Sequence, residues 1–164
     1  MKKRTSDNDA FWATILDLLN HITKEFSPVE DYGELARHLD KFVLSSHCLD
    51  DPRIPPIESI DVEFSHPSEK TTRAKIAARF SKLGLYWTVL DPRMNSKQPA
   101  ESAVGDAIDD LLDISKELNE VRLLLDQHGH DQALAGLKFR YQSHLWMHVF
   151  PLYLEEVIRM GFSD

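Results

Sequence analysis

The feature that most constrains this chain is a heptad pattern of apolar residues between positions 102 and 127. The apolar positions are separated by alternating steps of four and three: Ala107, Leu111, Ile114, Leu118, Val121 and Leu125. This spacing gathers apolar side chains into one seam along a helix. Such a seam is typical of a helix that packs against antiparallel neighbours. The pattern therefore predicts a helix over residues 102–127 within a helical bundle.

Similar spacing predicts three earlier helices, over residues 7–26, 27–48 and 68–90. The second helix has a capping box, with Ser27 at the N-cap, Pro28 at the first helical position and Glu30 at the third. The third helix is expected to stop at Asp91, because the residue before a proline disfavours helical geometry.

Residues 50–67 predict a different structure. Four prolines lie in or at the end of this segment and forbid a continuous helix: Pro52, Pro55, Pro56 and Pro67. Its apolar residues Ile60, Val62 and Phe64 alternate with polar ones. We therefore expect a long extended connection draped over the core.

The last helical region begins at Asp131, after a turn formed by residues 128–131. It is apolar around most of its circumference, as expected of a helix buried in a bundle. Pro151 is expected to kink or break it before residues 152–160. The predicted fold class is all-α: residues 1–164 form a single domain, an antiparallel bundle of five to six helices with one extended connection.

Composition excludes several classes of function. Acidic residues outnumber basic ones 27 to 19, and the net charge is −8. No basic patch suited to nucleic acid is evident. No apolar run approaches the roughly 18 residues of a membrane span. The expected partner class is therefore a protein or a second copy of this chain.

The cysteine content and the N-terminal residues favour a cytoplasmic location. Cys48 is the only cysteine, so no internal disulfide can form. We interpret it as a small buried hydrophobic residue. The basic start at Lys2–Arg4 is followed by polar residues and lacks the apolar core of a signal peptide.

An acidic stripe runs along the predicted helix 102–127. Its members step by four and three, with Asp109 on the flank: Asp106, Asp110, Asp113, Glu117 and Glu120. Like charges at this spacing repel. Either solvent screens the stripe, which is the ordinary interpretation, or cationic groups face it.

The sequence HLWMH places His144 and His148 four residues apart, on one face of the last helical region. Apolar residues share that face, so both imidazoles should be partly buried and need polar partners. A turn centred near residue 129 would place position 110 opposite 148, and position 113 opposite 145. Asp110 or Asp113 could therefore reach one of the histidines.

Three kinds of chemistry fit this juxtaposition. The favoured interpretation is a structural network of hydrogen bonds and charges that fixes helix register. The second is a divalent metal site for Zn, Mn or Fe, whose candidate ligands are His144, His148 and one or two of Asp109, Asp110 and Asp113. The third is general acid–base work by an Asp–His pair.

Three segments resemble a bacterial family of helical proteins known as a domain of unknown function. Residues 109–118 resemble a DDLxDI-xxDL helix, residues 139–148 an FxFxxHWGxH helix, and residues 86–92 a YxxVxDP helix ending. The resemblance covers roughly residues 86–158. It implies a helical fold, and it points to the same two histidines and to Asp109, Asp110 and Asp113. Leu145 and Trp146 stand where the pattern has Trp and Gly, so local packing should differ.

These observations predict a non-catalytic binding or regulatory module with a structural Asp–His network. The alternative is a metal-binding bundle whose cofactor is a divalent cation. A fainter resemblance to all-α nucleotide pyrophosphatases would make that alternative a metal-dependent hydrolase.

Overall fold

The computed structural model describes residues 4–23, 32–57, 68–89 and 102–161. These residues are mostly helical, with one small antiparallel sheet. The elements in chain order are α1 (Arg4–Thr23), α2 (Tyr32–Ser46), α3 (Glu69–Arg79), β1 (Leu85–Val89), β2 (Ser102–Asp106), α4 (Ala107–Arg140) and α5 (Trp146–Gly161). A short 3₁₀ turn, His47–Asp50, follows α2. A π-helical turn, Tyr141–Leu145, joins α4 to α5.

The core forms where α4 packs against α1, α3 and α5, while α2 packs against α1 and α5. The heptad seam of α4 lies at its centre, since Leu111, Ile114 and Leu118 are completely buried. The other helices contribute the apolar positions expected from their spacing, including Ile15, Leu18, Leu39, Phe42 and Ile76. Burial of these stripes is the main source of stability in such a fold.

The predicted turn after residue 127 is confirmed. Gly129 has φ 81° and ψ −176°, a backbone geometry that interrupts α4 and favours glycine. We call residues 107–128 the first limb of α4 and residues 130–140 its second limb. Side-chain contacts between Glu117 and Arg140 show that the two limbs lie side by side.

The helix predicted over residues 68–90 is wrong beyond Arg79. Residues 85–89 form β1, which pairs antiparallel with β2 so that Tyr86 lies opposite Gly105 and Trp87 opposite Val104. The physical reason is a two-residue alternation: Tyr86 is buried, whereas Leu85 and Trp87 are exposed. A five-residue strand is too short for its apolar residues to be told from a helical face by spacing alone.

The helix predicted from Ser102 also begins later, at Ala107. Residues 102–106 belong to β2, and the Asp106 carboxylate accepts a hydrogen bond from the backbone N–H of Ile108 at 2.9 Å. This N-cap satisfies one of the donors left free at the start of α4.

Part of the predicted extended connection is described, and residues 51–57 form bends without helix or strand. Ile54 is buried against the core, as a draped segment requires. The alternating residues 60–64 and the capping box at 27–30 lie outside the described residues.

One smaller expectation fails outright. Cys48 is exposed rather than buried, because the 3₁₀ turn after α2 directs it to solvent while Leu49 enters the core. Of the kink or break predicted at Pro151, the break is absent, since α5 runs through this residue. In the described residues, no helix is long and apolar enough to cross a membrane.

Candidate functional site: an Asp–His–His–Glu cluster

The antiparallel limbs of α4 and the following π turn bring Asp110, Glu117, His144 and His148 together. We call these four residues the Asp–His–His–Glu cluster. The Nδ1 atom of His148 lies 2.8 Å from Oδ1 of Asp110. The predicted pairing of position 110 with position 148 is therefore confirmed.

The two histidines contact each other through their outer nitrogens. Nε2 of His148 lies 3.0 Å from Nε2 of His144, and the ring centroids are 4.5 Å apart. Nδ1 of His144 lies 3.1 Å from Oε1 of Glu117. Hydrogen-bonding contacts therefore run without interruption from Asp110 through both imidazoles to Glu117.

The π turn contributes to this geometry. A π turn places one additional residue in a helix and changes the direction of the side chains that follow. Its first residue, Tyr141, accepts a hydrogen bond from the hydroxyl of Ser46 at 2.9 Å, which ties the turn to α2. Its last residues, His144 and Leu145, face Glu117 and the core respectively. Single π turns are rare and occur frequently at functional sites.

The cluster is partly shielded from water. Asp110 is buried, and the side chain of His148 is 18% exposed, whereas that of His144 is 44% exposed. Tyr86, on β1, donates its hydroxyl proton to the second carboxylate oxygen of Asp110. Asp110 is thus held by a histidine on one side and a phenol on the other.

Charge balance at the opposite end of the cluster comes from Arg140. Its guanidinium contacts Oε2 of Glu117 at 2.8 Å and also pairs with Glu120. All three side chains are less than one-fifth exposed. By bridging the two carboxylates, Arg140 holds both on the face of α4 that meets its second limb.

With both carboxylates ionised, hydrogen-bonding rules assign the imidazole protons. Ionised carboxylates only accept hydrogen bonds, so each Nδ1 beside a carboxylate carries a proton. In neutral imidazoles both Nε2 atoms would then present lone pairs to each other at 3.0 Å. One additional proton between them converts this repulsion into an N–H···N hydrogen bond.

The electrostatic surroundings favour that proton. Burial is the largest single influence on His148 and lowers its pKa, because it disfavours the charged form. The hydrogen bond to Asp110 and the negative charges of Asp110, Asp113 and Glu117 together outweigh it. The pKa of His148 is therefore raised above its ordinary value.

Not all of the acids singled out by sequence join the cluster. Asp113 lies at its edge, with Oδ2 at 3.8 Å from Nε2 of His148 and Oδ1 at 3.7 Å from Nζ of Lys116. Asp109 points away from the histidines and pairs with Arg73 of α3 at 2.6 Å. The positions 109 and 110 diverge because consecutive helical residues point about 100° apart.

The acidic stripe is therefore paired and not simply solvated, so its ordinary interpretation is wrong. The cations that face it come from α3, α4 and α5: Arg73, Lys116, Arg140 and His148.

Three parts of the site were not predicted from the sequence: Tyr86, Arg140 and the partner role of Glu117. The turn near residue 129 that places position 110 opposite 148 also places position 117 opposite 141. The same register therefore predicts the contact between Glu117 and Arg140. No comparable signal existed for Tyr86, since its position depends on a strand that was interpreted as helix.

Within the part of the chain that the structure describes, no group of three or more His, Cys, Asp or Glu side chains is arranged to hold a metal ion. No protein family, curated protein or solved structure matches this chain. The function must therefore be argued from the cluster itself.

Proposed function

We propose that this chain is a non-catalytic regulatory module in which one proton, shared by His144 and His148, sets how firmly α5 packs against α4. The observation that carries the proposal is the pair of facing Nε2 atoms, each on a ring whose Nδ1 contacts a carboxylate. A neutral pair in this arrangement is unfavourable, whereas a singly protonated pair is a hydrogen bond.

The groups that face the shared proton come from the two limbs of α4 and from β1. The first limb of α4 contributes Asp110, Asp113 and Glu117, and its second limb contributes Arg140 next to Glu117. Tyr86 of β1 reaches the site through Asp110. Asp113 also lies near Lys116, and Arg140 also pairs with Glu120. Four carboxylates against two cations leave the histidine pair in a negative environment, which favours the proton.

Loss of the proton would affect the position of α5. Two lone pairs would then face each other, and Asp110, buried and ionised, would lose its cationic partner. The helix that would loosen has solvent-exposed apolar side chains at Met147, Phe150 and Leu154. A protein partner or a second copy of the chain is the partner class that we propose for this module.

The architecture of the whole chain and its location in the cell are also part of this proposal. We propose that the whole chain forms one antiparallel bundle of five to six helices, with the segment 50–67 as its extended connection. We also propose a cytoplasmic location, in keeping with a single exposed thiol at Cys48.

Hydrogen–deuterium exchange of the α5 amides tests this function. After correction for intrinsic exchange rates, protection of α5 should fall as pH rises from 6 to 9, while protection of α1 stays constant. In a His144→Gln, His148→Gln double variant, the pH dependence of α5 should disappear. Equal pH dependence of α5 in wild type and double variant would contradict the proposal.

The metal-binding function stays a prediction. The effect of zinc on thermal stability distinguishes it from the regulatory function. A cation between the Nε2 atoms would have to displace the shared proton and recruit Asp113, which already pairs with Lys116. We therefore expect equimolar zinc at pH 7 to leave the thermal midpoint unchanged within a degree. A midpoint that rises with zinc, and does not rise in His148→Gln, would favour the metal function.

A further inference from the structure

A cavity of about 350 Å³ lies where α1, α3 and α4 meet, lined by helix faces other than the one that carries the Asp–His–His–Glu cluster. Its apolar part is formed by Leu19 of α1 and Leu112 of α4, both nearly fully buried. Ser115 lies beside them and is also buried. The volume is at the lower end of the range found for small-molecule sites.

Both basic residues of the segment 107–127, Lys116 and Arg122, line this one cavity. That placement is notable in a chain of net charge −8. Nζ of Lys116 lies 3.5 Å from Oε2 of Glu69 and 3.7 Å from Oδ1 of Asp113. Arg122 donates to the side-chain oxygen of Asn119 at 2.9 Å, and no carboxylate of the described residues pairs with it.

The hydroxyl groups of the lining are already used within their own helices. Thr23, Thr72 and Ser115 each donate to a backbone carbonyl, at 2.8, 3.2 and 2.8 Å. The cavity's remaining side-chain donors are therefore the two cations and the amides of Asn20 and Asn119. A site with available donors and an apolar floor suits a ligand that brings acceptors and an apolar body.

We propose that this cavity binds a small organic monoanion, a carboxylate with an apolar tail. The carboxylate would accept hydrogen bonds from Arg122, whose planar guanidinium matches two carboxylate oxygens. The tail would cover Leu19 and Leu112. A single charge is preferred because Glu69, also in the lining, repels a doubly charged head group. The inference does not depend on the histidines.

Methyl NMR of the full chain with octanoate tests the proposal. Octanoate should shift the methyl signals of Leu19 and Leu112 in a saturable manner. Octanamide, which has the same tail without the charge, should bind at least about tenfold more weakly, since charge-assisted hydrogen bonds are the stronger kind. Acetate and inorganic phosphate should cause no saturable shift of these methyls.

Two variants locate the ligand. Arg122→Gln should weaken octanoate binding about tenfold, whereas Arg37→Gln, which removes an exposed cation of α2 away from the cavity, should leave it unchanged. Ser115→Leu should block binding by filling the cavity; Arg122→Gln serves alone if that variant does not fold. The proposal is overturned if octanoate and octanamide bind equally, if Arg122→Gln binds like wild type, or if the saturable shifts lie at other methyl groups.

Discussion

At the scale of single residues, the central interaction of the site is the contact between buried Asp110 and His148. Asp110 is a buried carboxylate with two partners, a histidine nitrogen and a phenol hydroxyl. A buried charge is tolerated only when it is paired and hydrogen-bonded. The sequence indicated this pair through helical projection and register, because both depend only on residue spacing and on one glycine turn. The facing Nε2 atoms depend on side-chain rotamers and on a π turn, which spacing does not reveal.

Replacing His148 with leucine should lower the free energy of unfolding by roughly 1–3 kcal/mol, since it leaves one oxygen of buried Asp110 without its partner. Urea denaturation measures this change. Met147→Leu, a neighbouring substitution at an exposed position, is the matched control and should stay within about 0.5 kcal/mol. A His148→Leu variant as stable as this control would argue against the pairing.

The pH dependence of stability follows from the raised pKa of His148. A pKa that is higher in the folded than in the unfolded chain adds stability below the unfolded value, about 6.5. That contribution is lost as pH rises through the folded value. The unfolding free energy of wild type minus that of His148→Gln should thus be larger at pH 6 than at pH 9. A difference that grows with pH would reverse the assigned sign.

At the scale of elements, the short sheet positions the site as much as the helices do. β1 directs Tyr86 inward to Asp110 and Trp87 outward to solvent. Its partner strand has Gly105 opposite Tyr86, where a Cβ atom would collide with the tyrosine ring. Sequence patterns predicted most helices because their apolar stripes extend over many turns. They failed for this hairpin because five residues contain too few repeats of a two-residue period.

Tyr86→Phe should destabilise the protein by roughly 1.5–3 kcal/mol, the usual range for a hydrogen bond to a charged group. Trp87→Phe, one position along the same strand but exposed, should change stability by less than about 0.5 kcal/mol. Thermal unfolding of both variants provides the comparison. Equal effects would mean that the phenol hydroxyl does not support Asp110.

Gly105→Ala tests the same contact from the other strand. The added methyl group would push the Tyr86 ring from its place over Gly105 and weaken its hydrogen bond to Asp110. We expect a loss of stability that is much smaller when Tyr86 is already alanine, which removes the ring that the methyl group would strike. Additive losses in the double variant, measured by a double-mutant cycle, would show that the two positions do not interact.

At the scale of the whole molecule, the chain pairs its acidic stripe internally despite a net charge of −8. α3, the second limb of α4 and α5 each bring a cationic group to the first limb. This distribution requires the chain to reverse at Gly129, and that reversal was predicted from the sequence. Arg73 as a facing cation was not, because it reaches the stripe through the packing of α3 against α4 and not through local spacing.

The central claim is that His144 and His148 share one proton. Long-range ¹H–¹⁵N correlation spectra of the histidine side chains at pH 7 test it most directly. The account predicts protonated Nδ1 atoms on both rings and one further proton on the Nε2 pair, with the pKa of His148 above its ordinary value. Two neutral rings at pH 7, with a proton on an Nε2 atom and none on the Nδ1 of the same ring, would contradict it.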